Sequence, residues 1–404
     1  MVWKLRRPIL IGFGPAALGL GVLLLVAPTA PALGFWWLAG LLMGFILQRG
    51  RLCFASAFRD LFLNGSGQTM RAVLAGLMVA TLGFGPLMAR MVPDPALGLL
   101  PPRAHVWPLG PNVLVGGLLF GVGMVLAGGC VSGTLYRIGE GYLASLVTLF
   151  GILIGLEGAA FSWNWWWLNG MARAPLVWLP AYAGHLGAWL INLGVLGGLF
   201  LLTHWWEARR GVPALALPRP PGPPALTFGQ RLGALWQSLF GRAWPAALAG
   251  AALGLLNIAA FAFDHPLGVT GELAGWSGRL FGLLGLRPGP LMGLERFSGC
   301  NLVAEADAPV VSEGFMLDAG LIFGAFTAAG LASEFKLRVP RRPRRYLQSL
   351  AGGILLGYGA GIALGCTIGA FFSAIPSLGL NGWLFGIGLL GGAWVGVRLI
   401  RILA

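Results

Sequence analysis

Apolar residues dominate this chain in long runs with few charges inside them. The clearest occupy 9–28, 71–91, 112–128, 142–161, 185–205, 244–263, 314–332, 346–364 and 380–400. Each comes close to the roughly 20 residues that a helix needs to cross a bilayer. Two further runs, 35–47 and 280–294, are too short for an ordinary span. The pattern predicts an all-α polytopic membrane protein. Composition agrees: of 404 residues 57% are hydrophobic and 10% charged, with a mean hydropathy of +0.80. A soluble domain carries roughly 25% charged residues, so a water-facing surface of normal extent is excluded.

Lys4, Arg6 and Arg7 ahead of the first run, with small residues near Ala32, mimic a signal peptide. The expectation is a retained span or anchor over 1–34. The net charge of +14 is uneven. Arg209, Arg210, Arg219 and Arg231 lie in a Pro-rich connection, and Lys336, Arg338, Arg341, Arg342, Arg344 and Arg345 form a second cluster. The positive-inside rule puts both on the cytoplasmic side of the cell inner membrane. The segment between them then crosses an even number of times, so 280–294 belongs to a re-entrant element. Both clusters could also meet anionic lipid. Leu232, Leu235, Trp236 and Leu239 are spaced for an amphipathic surface helix over 231–242. Trp163, Trp165, Trp166 and Trp167 read as an interfacial group, as do Trp36–Trp37 and Trp205–Trp206.

Residues 116–133 and 352–369 align without a gap, pairing Cys130 with Cys366. A weaker pair matches Met43-Gly44, Cys53 and Asp60 with Met292-Gly293, Cys300 and Asp307. These repeats predict an internally duplicated helical bundle. Its parts are an N-terminal span at 1–34, a first repeat with one extra helix at 35–206, a linker at 207–239, and a second repeat at 240–404. The run at 185–205 has no evident partner.

All four cysteines fall on the repeated segments, two in each half. Buried cysteine is ordinarily a small hydrophobe, but packing alone does not place four thiols in correspondence. Gly129 and Gly133 bracket Cys130, and Gly365 and Gly369 bracket Cys366. Glycine permits a broken backbone there. A short helix starting at the break would aim its free N–H groups beside the thiol. Amide donors, thiols and a bias toward negative charge suit an anion with a terminal sulfur or selenium atom; phosphate would not need the cysteines. Arg49 and Arg51, just before Cys53, are candidates for attracting an anion at a pathway mouth. Arg137 and Glu140 could form an ordinary helix pair, and Glu295, Arg296, Glu305 and Asp307 flank Cys300.

Three segments taken together resemble the YeeE/YedE sulfur-transport family. They are Arg49-Gly-Arg-Leu-Cys-Phe54, the Gly-Cys-Val-Ser-Gly stretch followed by Leu135-Tyr-Arg-Ile-Gly-Glu-Gly141, and Gly365-Cys-Thr-Ile-Gly-Ala-Phe-Phe372 followed by Ile375-Pro-Ser-Leu378. The resemblance implies an hourglass of helices with half-membrane segments, in which cysteines pass thiosulfate along by S–H···S contacts. Cys53, Cys130 and Cys366 take the places of the family's functional cysteines, and Cys300 completes the internal symmetry. Length, the first span and the Leu337-Arg-Val-Pro340 loop are closer to the selenium-linked branch than to the shorter thiosulfate carriers. A small cytoplasmic thiol carrier is the implied partner; neither an enzyme activity, a cofactor nor nucleic acid is implied.

Two other classes fit less well. A soft-metal transporter would gather thiols, but these lack CxxC spacing and His105, His185, His204 and His265 do not cluster with them. A thiol–disulfide enzyme would need two cysteines within disulfide reach. No nucleotide-binding motif is present.

Overall fold

The computed structural model describes residues 8–210, 236–286, 288–294 and 310–403. Its helices are α1 Pro8–Val26, α2 Pro31–Arg49, α3 Phe54–Leu63, α4 Gln68–Met91, α5 Pro111–Ala127, α6 Val131–Gly139 and α7 Leu143–Trp166. Then follow α8 Pro180–Arg210, α9 Ala246–Phe263, α10 Thr270–Leu283, α11 Glu313–Leu331, α12 Arg344–Ile362, the π-type turn α13 Thr367–Ser373, and α14 Leu380–Leu403. Proline opens α2 and α5, where its missing N–H costs nothing. Among the described residues eight segments are long and apolar enough to cross a membrane, and α12 with α13, bent by 49°, makes a ninth if the pair is counted as one span. The chain is a multi-pass membrane protein.

The run at 35–47, expected to be too short, lies inside α2. Together with α3 it forms a 33-residue apolar segment broken only at Gly50–Cys53. The run at 280–294 does not continue as helix: α10 ends at Leu283 and 288–294 is turn. Cys300, Glu295, Arg296, Glu305, Asp307, Arg219, Arg231 and the proline cluster at 218–224 lie outside the described residues. Of the amphipathic helix, 236–242 is described, as a π-type turn over Gln237–Gly241 between Trp236 and Arg242.

Lipid offers no hydrophobic drive to bring helices together, so small residues decide which ones touch. A Cβ on Gly44 of α2 would lie 2.0 Å from the Leu321 carbonyl of α11, and one on Gly324 would lie 2.1 Å from the Leu41 carbonyl. Contacts of this closeness set four parallel pairs: α2 with α11, α4 with α9, α5 with α14, and α7 with α12. α5 and α12 instead run antiparallel, since Gly116 abuts Gly359 while Gly123 abuts Gly352. Within the sequence repeat Gly116 corresponds to Gly352 and Gly123 to Gly359, so each contact is the image of the other. α1 packs on α11 as α8 packs on α4. The pattern therefore relates α1–α7 to α8–α14 with reversed direction, and the run at 185–205 acquires α1 as its counterpart. By the same order α10 answers to α3. Met43-Gly44 lies inside α2 whereas Met292-Gly293 lies in a turn, so the weaker sequence pair does not match elements.

Arg209 and Arg210 of the first basic cluster lie at the same end as the second cluster. α4 begins beside the end of α8 through Arg71–Glu207, and Trp244, ahead of α9, donates its N–H to the Arg49 carbonyl (2.9 Å). Arg49 in turn meets Glu334. The expected interfacial tryptophans divide. Trp36, Trp37, Trp163 and Trp167 are buried within the bundle, while Trp165 and Trp205 are exposed.

Candidate functional site

Each described cysteine is the N-cap of a short helix: Cys53 of α3, Cys130 of α6 and Cys366 of α13. All three are extended, at φ −125°, −82° and −93°. Two residues before each stands a left-handed residue, namely Arg51 (φ 46°), Gly128 (φ 78°) and Leu364 (φ 62°). In two breaks the following N–H closes the helix in the Schellman manner: Leu52 to the Leu47 carbonyl (3.0 Å) and Gly365 to the Ala360 carbonyl (2.9 Å). The result is one device used three times, in which a helix stops, turns left-handed, and restarts with a thiol at its positive end. Only Gly128 has the residue type that such a turn favours.

All three cysteines are buried free thiols. Cys53 and Cys130 are near neighbours, each within the other's electrostatic reach. Gly133 N–H donates to Cys130 Sγ (3.3 Å), and Ser132 Oγ lies 3.4 Å from the same sulfur. A Cβ on Gly133 would lie 3.2 Å from both Cys130 Sγ and Cys53 Sγ, so this glycine keeps space open between the thiols. Gly129 faces Arg137, and a Cβ on Gly365 would crowd Trp107 and Ala370 N. The Gly369 carbonyl accepts from His105 Nδ1 (3.1 Å). Thr367 lies beside Cys130 and Thr270, at the start of α10, beside Cys366. Both hydroxyls are buried, and neither has a partner within hydrogen-bonding distance. Read through these neighbours, the order is Cys366, Cys130, Cys53.

Cys53 lines a cavity of about 440 Å³ at the basic end of the bundle. Arg51, Arg137, Lys336 and Arg338 bring positive charge to its walls, against Glu140 and Glu334. Neither acid is a free anion. Burial raises Glu334, but Arg49, Gln48 and Arg51 outweigh that and hold it below the usual carboxylate range in ion pairs. Burial pushes the Glu140 carboxyl above its usual range despite Gln48, Arg338 and Arg137. Arg338 and Arg137 both lie over the Tyr142 ring, 4.4 and 5.8 Å from its centroid. The cavity can therefore accept an anion above a thiol.

Arg49 is not at that mouth. Its side chain is wholly buried, bonded to Glu334 (2.6 Å), to Gln48 Oε1 (2.7 Å) and to the Phe240 carbonyl (2.9 Å). Arg51, 69% exposed, does line the cavity. Arg137 bonds the Gly128 carbonyl across the break instead of pairing with Glu140. Its role at the thiols could not be read from a helix-pair spacing. Thr270, Thr367 and His105 carry no sequence signal, because only the fold brings them to the cysteines. No thiol joins a group of metal-ligand atoms among the described residues; the one such group is Asp264, His265 and Glu313.

Thiol-capped half-helices meeting inside a multi-pass bundle, above a basic cavity, define a membrane transporter for a small anion. The profile of the Sulphur transport family matches residues 49–395, and the chain belongs to that family. It is 34% identical over 366 residues to a thiosulfate transporter, TsuA, of Spirochaeta thermophila, covering 88% of this chain and 96% of that one. A thiosulfate transporter TsuA of Escherichia coli is 29% identical, covering 90% and 94%. A probable transporter, YedE, of the same organism is 32% identical over about half of each chain (51% and 48%). The protein is a sulfur transporter, not an enzyme.

Proposed function

We propose that the chain carries thiosulfate, or a close sulfur-bearing anion, inward across the cell inner membrane. The anion passes Cys366, Cys130 and Cys53 in turn and leaves through the basic cavity. The observation that carries this reading is the thrice-repeated Cys N-cap, with two of its thiols adjacent over that cavity. At each station the sulfane sulfur meets an S–H donor, while its oxygens meet helix N–H groups and the unpaired Thr270 and Thr367 hydroxyls. Such contacts are individually weak, which suits passage, since a tight site would hold its cargo. Gly129, Gly133, Gly365 and Gly369 keep the breaks narrow-backed and the thiols accessible. Arg51 and Arg137 draw the anion along and past Cys53. Halves of reversed direction with broken helices fit the general architecture of secondary transporters. At the cytoplasmic mouth a small thiol carrier protein is the expected receiver.

The test is growth on thiosulfate as sole sulfur source with Cys53→Ala, Cys130→Ala and Cys366→Ala. Each is expected to abolish growth while the protein still inserts. Normal growth of all three would overturn the relay. A second substrate, a selenium-bearing anion, is favoured by the same soft thiols. Competition of selenium analogues and of sulfate against labelled thiosulfate separates these cargoes.

A further inference from the structure

One carboxyl in α11 plays no part in the pathway described so far. Asp318 lies within the span Glu313–Leu331, is 0% exposed, and neither of its carboxylate oxygens has a hydrogen-bond partner. An ionised carboxylate there is a bare charge at membrane depth, whereas the protonated acid is neutral. A carboxyl kept in such a place is a functional candidate.

No cation on the elements packed on α11 bonds Asp318; Arg279 of α10, seven residues after Glu272, has contacts of its own. α10 brings Glu272, of like charge, engaged by Ser312 and by Trp276 Nε1 (2.7 Å). Arg49 of α2 is taken by Glu334 at the far end of α11, and Arg137 of α6 by the Gly128 carbonyl. α1 has no titratable residue over 12–26, nor does the turn Gln237–Gly241. Within α11 itself, Glu313 stands with Asp264 and His265. A hard cation such as sodium wants several oxygen ligands, and no oxygen donor or acceptor bonds Asp318. The ligand that this site fits is a proton.

α11 also packs on α2 and α6, the helices that run from the two thiol-bearing breaks at the basic end. Its Leu317 and Leu321 carbonyls abut Gly40 and Gly44 of α2, which ends at the Cys53 break, and its Ile322 carbonyl abuts Gly139 of α6, which begins at Cys130. Asp318 sits between Leu317 and Leu321 on that seam. Charge appearing or vanishing there arises within four residues of the backbone contacts to both segments.

We propose that Asp318 is a proton-binding site that couples anion uptake to inward proton movement. This rests on the uptake reading above. A dianion entering a cell whose interior is ~100 mV negative faces an equilibrium ratio on the order of 10³ against it, at about 59 mV per tenfold per charge. Uptake then needs co-moving cations, and the thiol path itself supplies none; one proton cancels one of the two charges and leaves a ratio on the order of 10² for the proton gradient to meet. Asp318 takes a proton from water in the outward-facing form and returns it on the inner side; no electrons move.

The test uses the full chain in proteoliposomes, with the membrane potential clamped at zero by potassium and valinomycin. An inward proton gradient is expected to raise labelled thiosulfate accumulation about tenfold per pH unit for one coupled proton, that being the ratio of proton activities itself. Asp318→Asn is expected to take up thiosulfate at the same rate with and without the gradient, and Asp318→Glu to regain the response. Wild-type indifference to the gradient, an unchanged response in Asp318→Asn, or a sodium gradient driving uptake in its place would each overturn the proposal. Should the wild type take up no thiosulfate, matching Cys130→Ala, the transport reading fails instead. The infrared carbonyl band of a protonated carboxyl, lost in Asp318→Asn, then still decides the site, and its absence from the wild type refutes proton binding.

Discussion

Arg49 and Arg51 stand two residues apart and share one acid, yet their replacement is expected to do opposite things. Arg49 is 0% exposed and Arg51 69%, and Glu334 binds the first at 2.6 Å and the second at 3.0 Å. Changing Arg49 to Met leaves Glu334 without its buried cation and Gln48 and the Phe240 carbonyl without their donors. Breaking one partner of a buried pair costs about 3–5 kcal/mol. Because Glu334 is 30% exposed, its desolvation is incomplete and about 3 kcal/mol is the better figure. That is a large share of the roughly 5–15 kcal/mol by which a domain is stable. Arg51→Gln loses an exposed ion pair and should cost about 0–1 kcal/mol. Denaturant or thermal unfolding of purified protein reads the first effect. Uptake against thiosulfate concentration reads the second, with a raised half-saturation in Arg51→Gln and an unchanged one in whatever Arg49→Met protein folds. The reasoning is refuted if Arg49→Met is as stable as the wild type and weakens only apparent affinity. Acid should mimic the Arg49 change. Glu334 is held below its unfolded range, so its contribution is present above that range and is lost as pH falls through the lowered folded value.

Gly133→Ala places a methyl 3.2 Å from both sulfurs, inside the ordinary ~3.5–4.0 Å contact. Uptake should fall at least about tenfold, at an overpacking cost of about 1–3 kcal/mol, and labelled-thiosulfate uptake by protein confirmed folded checks it. His105 is buried, which lowers its pKa to about 4 although the Gly369 carbonyl opposes this. The neutral ring therefore stabilises the fold above pH ~6.5, its unfolded value, and about 3 kcal/mol should be lost as pH falls toward 4. Melting curves of wild type and His105→Asn between those pH values should converge at the acid end.

The membrane class, most spans and the three cysteine breaks are legible in the sequence because run length and Gly-Cys spacing are local signals. The left-handed turns at Arg51 and Leu364 are not, since neither residue advertises a positive φ. Gln48 to Arg51 made α2 look truncated, because its polar end gives no hint of Glu334, which lies far along the chain. By residue type Trp36 and Trp163 belong at the interface, and only their packed neighbours reveal that they are core. The relation of α8 to α1 leaves no trace in residue identity. It survives in which helix each one covers.

The glycine seam between α5 and α12 has a consequence for the chain's own construction. Gly116 on Gly359 and Gly123 on Gly352 are one contact made twice, as at the interface of a two-fold dimer where a patch meets its own copy. A single seven-helix unit inserted in both orientations would bring the same patch together. The covalent junction between α7 and α8 then supplies proximity rather than specificity, and a chain cut within 172–179 should reassemble from two separately made halves.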